Sequence, residues 1–495
     1  MKIHGIGCGV VSLALVACSG GGIAPDDGGD TSSGSGAASS GSGTGGTTSS
    51  GGGGTSSGSG GGGGAGMPSP CGSFPTFEDG LTATSEIHVA ETGSDQSGDG
   101  SVAAPYASLS RAAQDASPGS AIVLHEGSYP GGAYLAGLAG TAQAPIWIGG
   151  ATGETRPVLS GGDVAMHLSN VRYLVIHDLE VTGMAYDGIN IDDGGNYADP
   201  EATRHLVLRG LDIHDIGGGG NEDCLKLSGV DDFWVLDSSF QRCGGGMAGS
   251  GIDQVGCHAG VIAQNVFAEN SGNGVQCKGG SRDIEIHGNL FVAAGERAVN
   301  MGGSTGFEYF RPPLDMGAPN AEARDIRVIA NVIRGATASL GFVGCVDCLA
   351  ANNTIVDPGR WIFRILQETS SSGGFAFEPA SGGRVINNLV YYGSGGSFST
   401  HVNVGGGTDP GSFVFQTNLW FDHDAPGASA PSLPVAEQGG IVGQDPGLTD
   451  PAAGDVSITS ASPAAGAGSA LDDLGGDFAG ACFGSPPSIG ALEPG

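Results

Sequence analysis

Five short segments, DGINIDD (187–193), DCLKLSG (223–229), SGIDQVG (250–256), NGVQCKG (273–279) and RAVNMGG (297–303), fall into register when written one under another. Side chains alternate between the two faces of a strand, so one set of columns reads Ile189, Leu225, Ile252, Val275, Val299 and then Ile191, Leu227, Gln254, Cys277, Met301. That set is expected to face a core. The alternate columns read Asn190, Lys226, Asp253, Gln276, Asn300 and Asp192, Ser228, Val255, Lys278, Gly302, with Asp187, Asp223, Ser250, Asn273 and Arg297 just ahead of them. This second set is expected to face solvent, and it carries most of the chemistry in the chain.

Outward from this stretch the same kind of segment recurs: YLVIHDLEV (173–181), HLVLRGLDI (205–213), FWVLDSSF (233–240), GVIAQNVF (260–267), IEIHGNLF (284–291), IRVIANVI (326–333), CLAANNTI (348–355), RVINNLV (384–390) and FVFQTNLW (413–420). One equivalent position in them is Leu179, Leu211, Ser238, Asn265, Asn289, Asn331, Asn353, Asn388 and Asn418. Positions 331 and 353 are 22 apart and 265 and 289 are 24 apart, a period that marks a solenoid. An Asn amide at such a site can bond to its counterparts one turn above and below, and Asn tolerates the left-handed bend between strands, so these residues are read as structural. Wider gaps hold insertions near 303–323 and 366–382, and loops on one wall of a solenoid are where grooves are built.

Composition agrees. Among 495 residues 97 are Gly and only 14% are charged, which favours strands separated by turns, an all-β chain, over helices. The net charge of −33 argues against nucleic acid as a partner. Residues 1–17 read as a secretory signal, with Lys2 ahead of a short apolar run, and Leu15-Val16-Ala17-Cys18 resembles a bacterial lipobox. That resemblance implies a lipid on Cys18 as the sole membrane attachment, with an exported protein at the outer membrane or cell surface. Residues 18–70, almost wholly Gly, Ser, Thr and Ala, read as a flexible tether with a reach of roughly 40 Å. The working domain is expected over 71–495, as a monomer. Its eight cysteines suggest disulfides, among them Cys71 with Cys482 across the domain ends and a local bridge between Cys345 and Cys348.

The opening of this domain, 86–132, reads as a strand, a polar loop, a short helix from about Ser108 to Asp115 and a strand over 121–125. This order resembles the start of right-handed parallel β-helix proteins, in which a small helix covers the open end of the core. The last segment, with DPGL (445–448), SPAAGAGSA (462–470) and IGALE (489–493), resembles the terminal segment of bacterial β-helix proteins. Together these likenesses span about 86–494 and imply a right-handed parallel β-helix solenoid with a short N-terminal capping helix.

The solvent columns gather Asp187, Asp223 and Asp253 beside Lys226, Lys278 and Arg297. Adjacent turns lie about 4.8 Å apart, so carboxylates on neighbouring turns can share a hard cation such as Ca²⁺. β-Elimination from a uronate polymer needs the substrate carboxylate neutralised and a base for the adjacent C–H, and a lysine beside other positive charge can be that base. Lys278 in SGNGVQCKGG resembles the lysine-bearing turn of family 9 polysaccharide lyases, with Asp253 where a calcium aspartate lies one turn earlier. Glu222 and Lys226 resemble the acid and lysine of family 6 lyases.

The expected function is therefore Ca²⁺-assisted cleavage of an acidic polysaccharide. The base would be Lys278 or Lys226, Arg297 would bind a substrate carboxylate, and Asp187, Asp223 and Asp253 would hold the metal. Two other readings stay open: a non-catalytic surface or glycan binder, and a hydrolase using carboxylates such as Asp192 with Asp253. Arg311, with Phe307, Tyr309 and Phe310 in the first insertion, is placed to stack on sugar rings or to close onto the solenoid. His214, His258 and His287 are read as structural.

Overall fold

The computed structural model describes residues 72–246 and 248–495. The expected signal peptide, Cys18, the tether over 18–70 and Cys71 lie outside the described residues. The described chain winds through sheets of 10, 13 and 12 strands. One turn runs from Ile252–Val255 in the first of these to His258–Ala263 in the second and Val266–Ala268 in the third, before Asn273–Lys278 begins the next turn. Successive turns pair in parallel, which makes the domain an all-β parallel β-helix. No described helix is long and apolar enough to cross a membrane.

The ten-stranded sheet holds the five segments that align in the sequence. Ile189, Leu225, Ile252, Val275 and Val299 stand in register, and so do Asn190, Lys226, Asp253, Gln276 and Asn300. The first column is buried in one continuous apolar core. Part of that core is a stack of rings on consecutive turns, with centroids 5.2 Å apart from Phe240 to Phe267 and 4.8 Å from Phe267 to Phe291. The first helix, α1 (Leu109–Asp115), is capped by Ser108 and buries Leu109 and Ala112 at the start of the solenoid.

The asparagine row forms as expected. Each Asn side-chain oxygen accepts the backbone N–H of its counterpart on the preceding turn, through Asn265, Asn289, Asn331, Asn353, Asn388 and Asn418, at 2.8–3.1 Å. Ser238 starts the row, and the carboxylate of Glu437 ends it by accepting both N–H groups of Asn418. The left-handed bend is displaced by one residue from the sequence reading. It belongs to the residue before each Asn, namely Gln264, Gly288, Ala330, Asn352, Asn387 and Thr417, with φ between 49° and 62°. The row Asn bonds to the strands on both sides of the corner, so its backbone stays in the common region while its neighbour turns.

Both ends of the described chain pack on outer faces of the solenoid. Phe77 packs edge-on against Tyr173 and Trp234, and Glu78 ion-pairs with Arg209. At the other end Asn352 donates to Ser488 O and Asn387 to Ser469 O, both at 2.8 Å, which ties the terminal segment to the corners. Cys345 bonds to Cys348, as the sequence suggested, and Cys224 bonds to Cys243. Cys482 is also disulfide-bonded, while Cys257 and Cys277 are free and buried.

Asn331 accepts two N–H groups from Asn289 and donates to Ile286 O, Ile329 O and Asn353 Oδ1. Asn331→Ala should therefore cost about 3 kcal/mol or more, since several buried groups lose their partner at once. A urea titration with an unchanged midpoint would show that the row does not hold the turns together.

Candidate functional site

The solvent columns of the ten-stranded sheet bring Lys226, Lys278 and three carboxylates onto neighbouring turns. Lys226 Nζ contacts the Asp253 carboxylate directly and lies 3.2 Å from Asp223 Oδ2. Lys278 Nζ lies 3.2 Å from the same Asp253 oxygen. Asp223 is fixed from two sides, since its Oδ1 accepts from Ser250 N at 2.7 Å and its own N–H donates to Asp187 Oδ1 at 2.8 Å. The Cys224–Cys243 bridge holds the backbone at the next residue.

Burial dominates the electrostatics. It pushes the Asp223 carboxyl up to about 7, against the pull of Lys226. Asp187 is raised by the same cause. Burial disfavours the charge on Lys226, but Asp253 and Asp223 outweigh it and hold the ammonium well above the ordinary lysine value. Burial also opposes ionisation of Asp253, and there Lys226 and Lys278 win, so its carboxyl is lowered. Lys226 is thus a fixed cation rather than an amine ready to take a proton.

A groove of about 440 Å³ opens over this cluster, lined among others by Asp187, Asn190, Lys226, Lys278, Tyr309 and Arg311. The first insertion builds its far side, and the second packs against the first. Phe307 meets Phe375 and Phe377, and Phe310 meets Phe377, with ring centroids 5.5–5.7 Å apart. Glu322, fully buried, fastens them to the wall: its carboxylate accepts from Gly279 N beside Lys278, from Thr305 N and Oγ1, and from Thr369 Oγ1.

Arg311, rather than Arg297, lines the groove. Its guanidinium grips Asp193 through two bonds of 2.7 and 3.2 Å, lies 4.1 Å over the Tyr197 ring and lines the groove. Arg297 instead turns to Glu368 at 2.7 Å, two strands beyond Asp253, and does not line the groove. Of the aromatic residues expected to meet sugar, Phe310 is buried in the loop pair, while Tyr309 is 48% exposed at the groove. Tyr197 and Glu322 were missed because each acts from a loop, outside the repeat that made the columns readable.

The three aspartates expected to hold Ca²⁺ share one wall, and their chemistry suits a hard cation. Asp253 Oδ1 is buried without a hydrogen-bond partner, and burial raises both Asp187 and Asp223. Yet the Lys226 ammonium stands between Asp223 and Asp253, so the oxygens close on a lysine. Among the described residues, the metal-ligating group whose ligand atoms lie within 4.8 Å of one another is Glu180, Asp212 and His214, on the twelve-stranded sheet. These residues could hold a cation, and in the structure His214 is bonded to Thr182 at 3.2 Å and Asp215 at 2.7 Å and lies 3.4 Å from Glu180. His287 does have a structural role, bonded to Glu285 at 2.8 Å and Gly476 O at 2.7 Å. The hydrolase pair is not free either: Asp192 is held by His167 and Ser169 at 2.6 and 2.7 Å, and Asp253 is covered by two lysines.

Residues 164–310 match the family model described as "Right handed beta helix region", which gives the hand of the solenoid. No curated protein matches the sequence. Among solved structures, the pectate lyase Pel9A is similar at a TM-score of 0.52 and 16% identity, over 84% of this chain and 98% of that one. An alginate lyase from Paenibacillus sp. str. FPU-7 is similar at a TM-score of 0.42 and 18% identity, over 65% of this chain and all of that one. At these identities the likeness is one of fold, a right-handed parallel β-helix.

Proposed function

We propose that the protein is a carbohydrate-active β-helix protein, a polysaccharide lyase that cleaves an acidic, uronate-containing glycan in the groove over Lys226 and Lys278. The observation that carries this reading is the meeting of Lys226, Lys278 and Arg311 with Asp187, Asp192 and Asp193 along one groove, in a chain whose net charge is −33. In such a groove a sugar carboxylate can pair with the cations in place of an aspartate, and a bound sugar can bond the aspartates through its hydroxyls. The pectate and alginate lyases that share the fold act on glycans of this class, in keeping with the same reading.

In this reading Lys226 and Arg311 neutralise the carboxylate of the bound uronate, which makes the neighbouring C–H acidic. Lys278 is the base. When it gives up its own proton, Asp253 keeps Lys226 as a partner, so no buried carboxylate is left alone. The C–H proton passes to Lys278 Nζ, the electron pair forms the new C=C bond, and the glycosidic C–O bond breaks. The leaving oxygen takes a proton from solvent. Lipidation of Cys18 and the tether over 18–70 belong to the same proposal and would hold the groove at the cell surface.

A second reading concerns the cation. The unpartnered Asp253 Oδ1 and the desolvated Asp187 favour a calcium ion held by Asp187, Asp223 and Asp253, which would neutralise the substrate carboxylate in place of the two side chains. Chelation separates the two, because activity that survives EDTA assigns neutralisation to Lys226 and Arg311.

Incubation with pectate, alginate and glycosaminoglycans should yield an unsaturated uronide, seen by its ultraviolet absorbance. Lys278→Ala should lower that rate by at least ~100-fold, the usual contribution of a general base. New reducing ends without absorbance would identify a hydrolase, and binding without product a glycan-binding protein.

The cluster also has a pH signature that does not depend on turnover. The folded Asp223 carboxyl titrates near 7, above the ordinary carboxylate value of about 3.9. Its contribution to stability is therefore complete below about pH 4 and is lost as pH rises to 7. Thermal melts of wild type and Asp223→Asn should diverge across this range, with the wild type losing ground as pH rises. Parallel curves would mean that Asp223 is not the group that burial perturbs.

A further inference from the structure

Beside the groove lies a second cavity of about 250 Å³, and the two share Asp193, Tyr197 and Arg311 as a common wall. On its far side three consecutive turns of the thirteen-stranded sheet place Asp231, His258 and Arg282 in register. His258 Nδ1 donates to Asp231 Oδ1 at 2.5 Å, which fixes the ring and its tautomer. The other ring nitrogen, Nε2, is buried without a hydrogen-bond partner in a side chain only 12% exposed. A purely structural histidine would satisfy both nitrogens, as His287 does.

The remaining lining is of the kind that recognises a sugar. Asp193 is already held by Arg311 and Asp231 by His258, and the Asn196 amide nitrogen donates to Asn170 Oδ1 and Asp193 O, so the pocket offers His258 Nε2, the side-chain oxygen of Asn196, the carboxylate of Asp199 and the guanidinium of Arg282. Arg282 is half exposed, with a single long contact of 3.5 Å to Asp283. Tyr197 adds an aromatic ring at the boundary with the groove. Hydroxyl-rich rings are bound by such planar polar groups beside an aromatic face, and a cation selects an acidic ring among them.

We infer that Asp231, His258 and Arg282 build a second sugar subsite, which holds the glycan unit next to the one over Lys226 and Lys278. His258 Nε2 bonds a ring hydroxyl and Arg282 pairs with that unit's carboxylate. The inference rests on the proposed acidic glycan and extends it by one sugar. His258 acts here in binding and takes no part in the proton transfer.

Calorimetric titration of the intact protein with trigalacturonic and trimannuronic acids tests it, using Lys278→Ala to prevent turnover. Introduced into that background, His258→Ala and Arg282→Gln should each weaken binding of the preferred trimer at least tenfold. In the active protein they should raise KM with kcat within about threefold. Arg282→Gln changes a half-exposed residue, so a melt superimposable on wild type guards against a folding defect. Wild-type affinity and KM in both variants would overturn the subsite, as would failure of both trimers to bind the parent protein. Weakened binding in the variants without any unsaturated product from wild type would keep the subsite and overturn the lyase. Product formation with unchanged variants would do the reverse.

Discussion

Every turn of this solenoid must bend sharply between two sheets without leaving buried peptide groups unpaired. From the turn of Ser238 onward, the row through Asn418 to Glu437 meets that constraint. An asparagine amide presents an acceptor and two donors from one short side chain, enough to bond the corner of its own turn and those beside it. Once the corners are fixed, the strands between them have one available register. The columns of the ten-stranded sheet follow from that, and so does the meeting of Lys226 with Asp253 on the next turn.

The cluster under the groove is costly to build. Carboxylates and ammonium groups lose hydration there, and the compensation is mutual pairing. Removing Lys226 leaves Asp223 buried without its cation, whereas Asp253 has two lysine partners, so the members of the cluster are not equivalent. The Cys224–Cys243 bridge and the Glu322 carboxylate lie immediately beside that unit, one on each flank. Rigid support on both sides keeps Lys278 at a fixed distance from the Asp253 oxygen it shares with Lys226.

Much of the fold was legible because a solenoid writes its structure at a fixed period. The inward column from Ile189 to Val299 and the outward one from Asn190 to Asn300 pair as the aligned segments foretold. The period places a residue on a wall, but it says little about backbone angles at the corner, where the left-handed bend falls on the neighbour of the row Asn rather than on the Asn itself. It is silent on loops as well. Arg311 reaches Asp193 across 118 positions of sequence, and Glu322 reaches Gly279 across 43. Arg297 lies in the right column but is drawn to Glu368 in the second insertion, an attraction no single strand reveals. The charges on Lys226 and Asp223 depend on depth of burial, which sequence gives only as an alternation of in and out.

The end of the asparagine row has a consequence for how far the pattern of side-chain bonds can run. Each Asn passes the pattern on because it both donates and accepts, so an Asn at the last position would offer its acceptor oxygen to the row and still present an amide donor to a further turn. Glu437 accepts from Asn418 through one oxygen and from Trp420 Nε1 through the other at 2.7 Å. An ionised carboxylate has no hydrogen to give. It acts as a chain terminator in the polymer chemist's sense, closing the row of side-chain bonds at this turn.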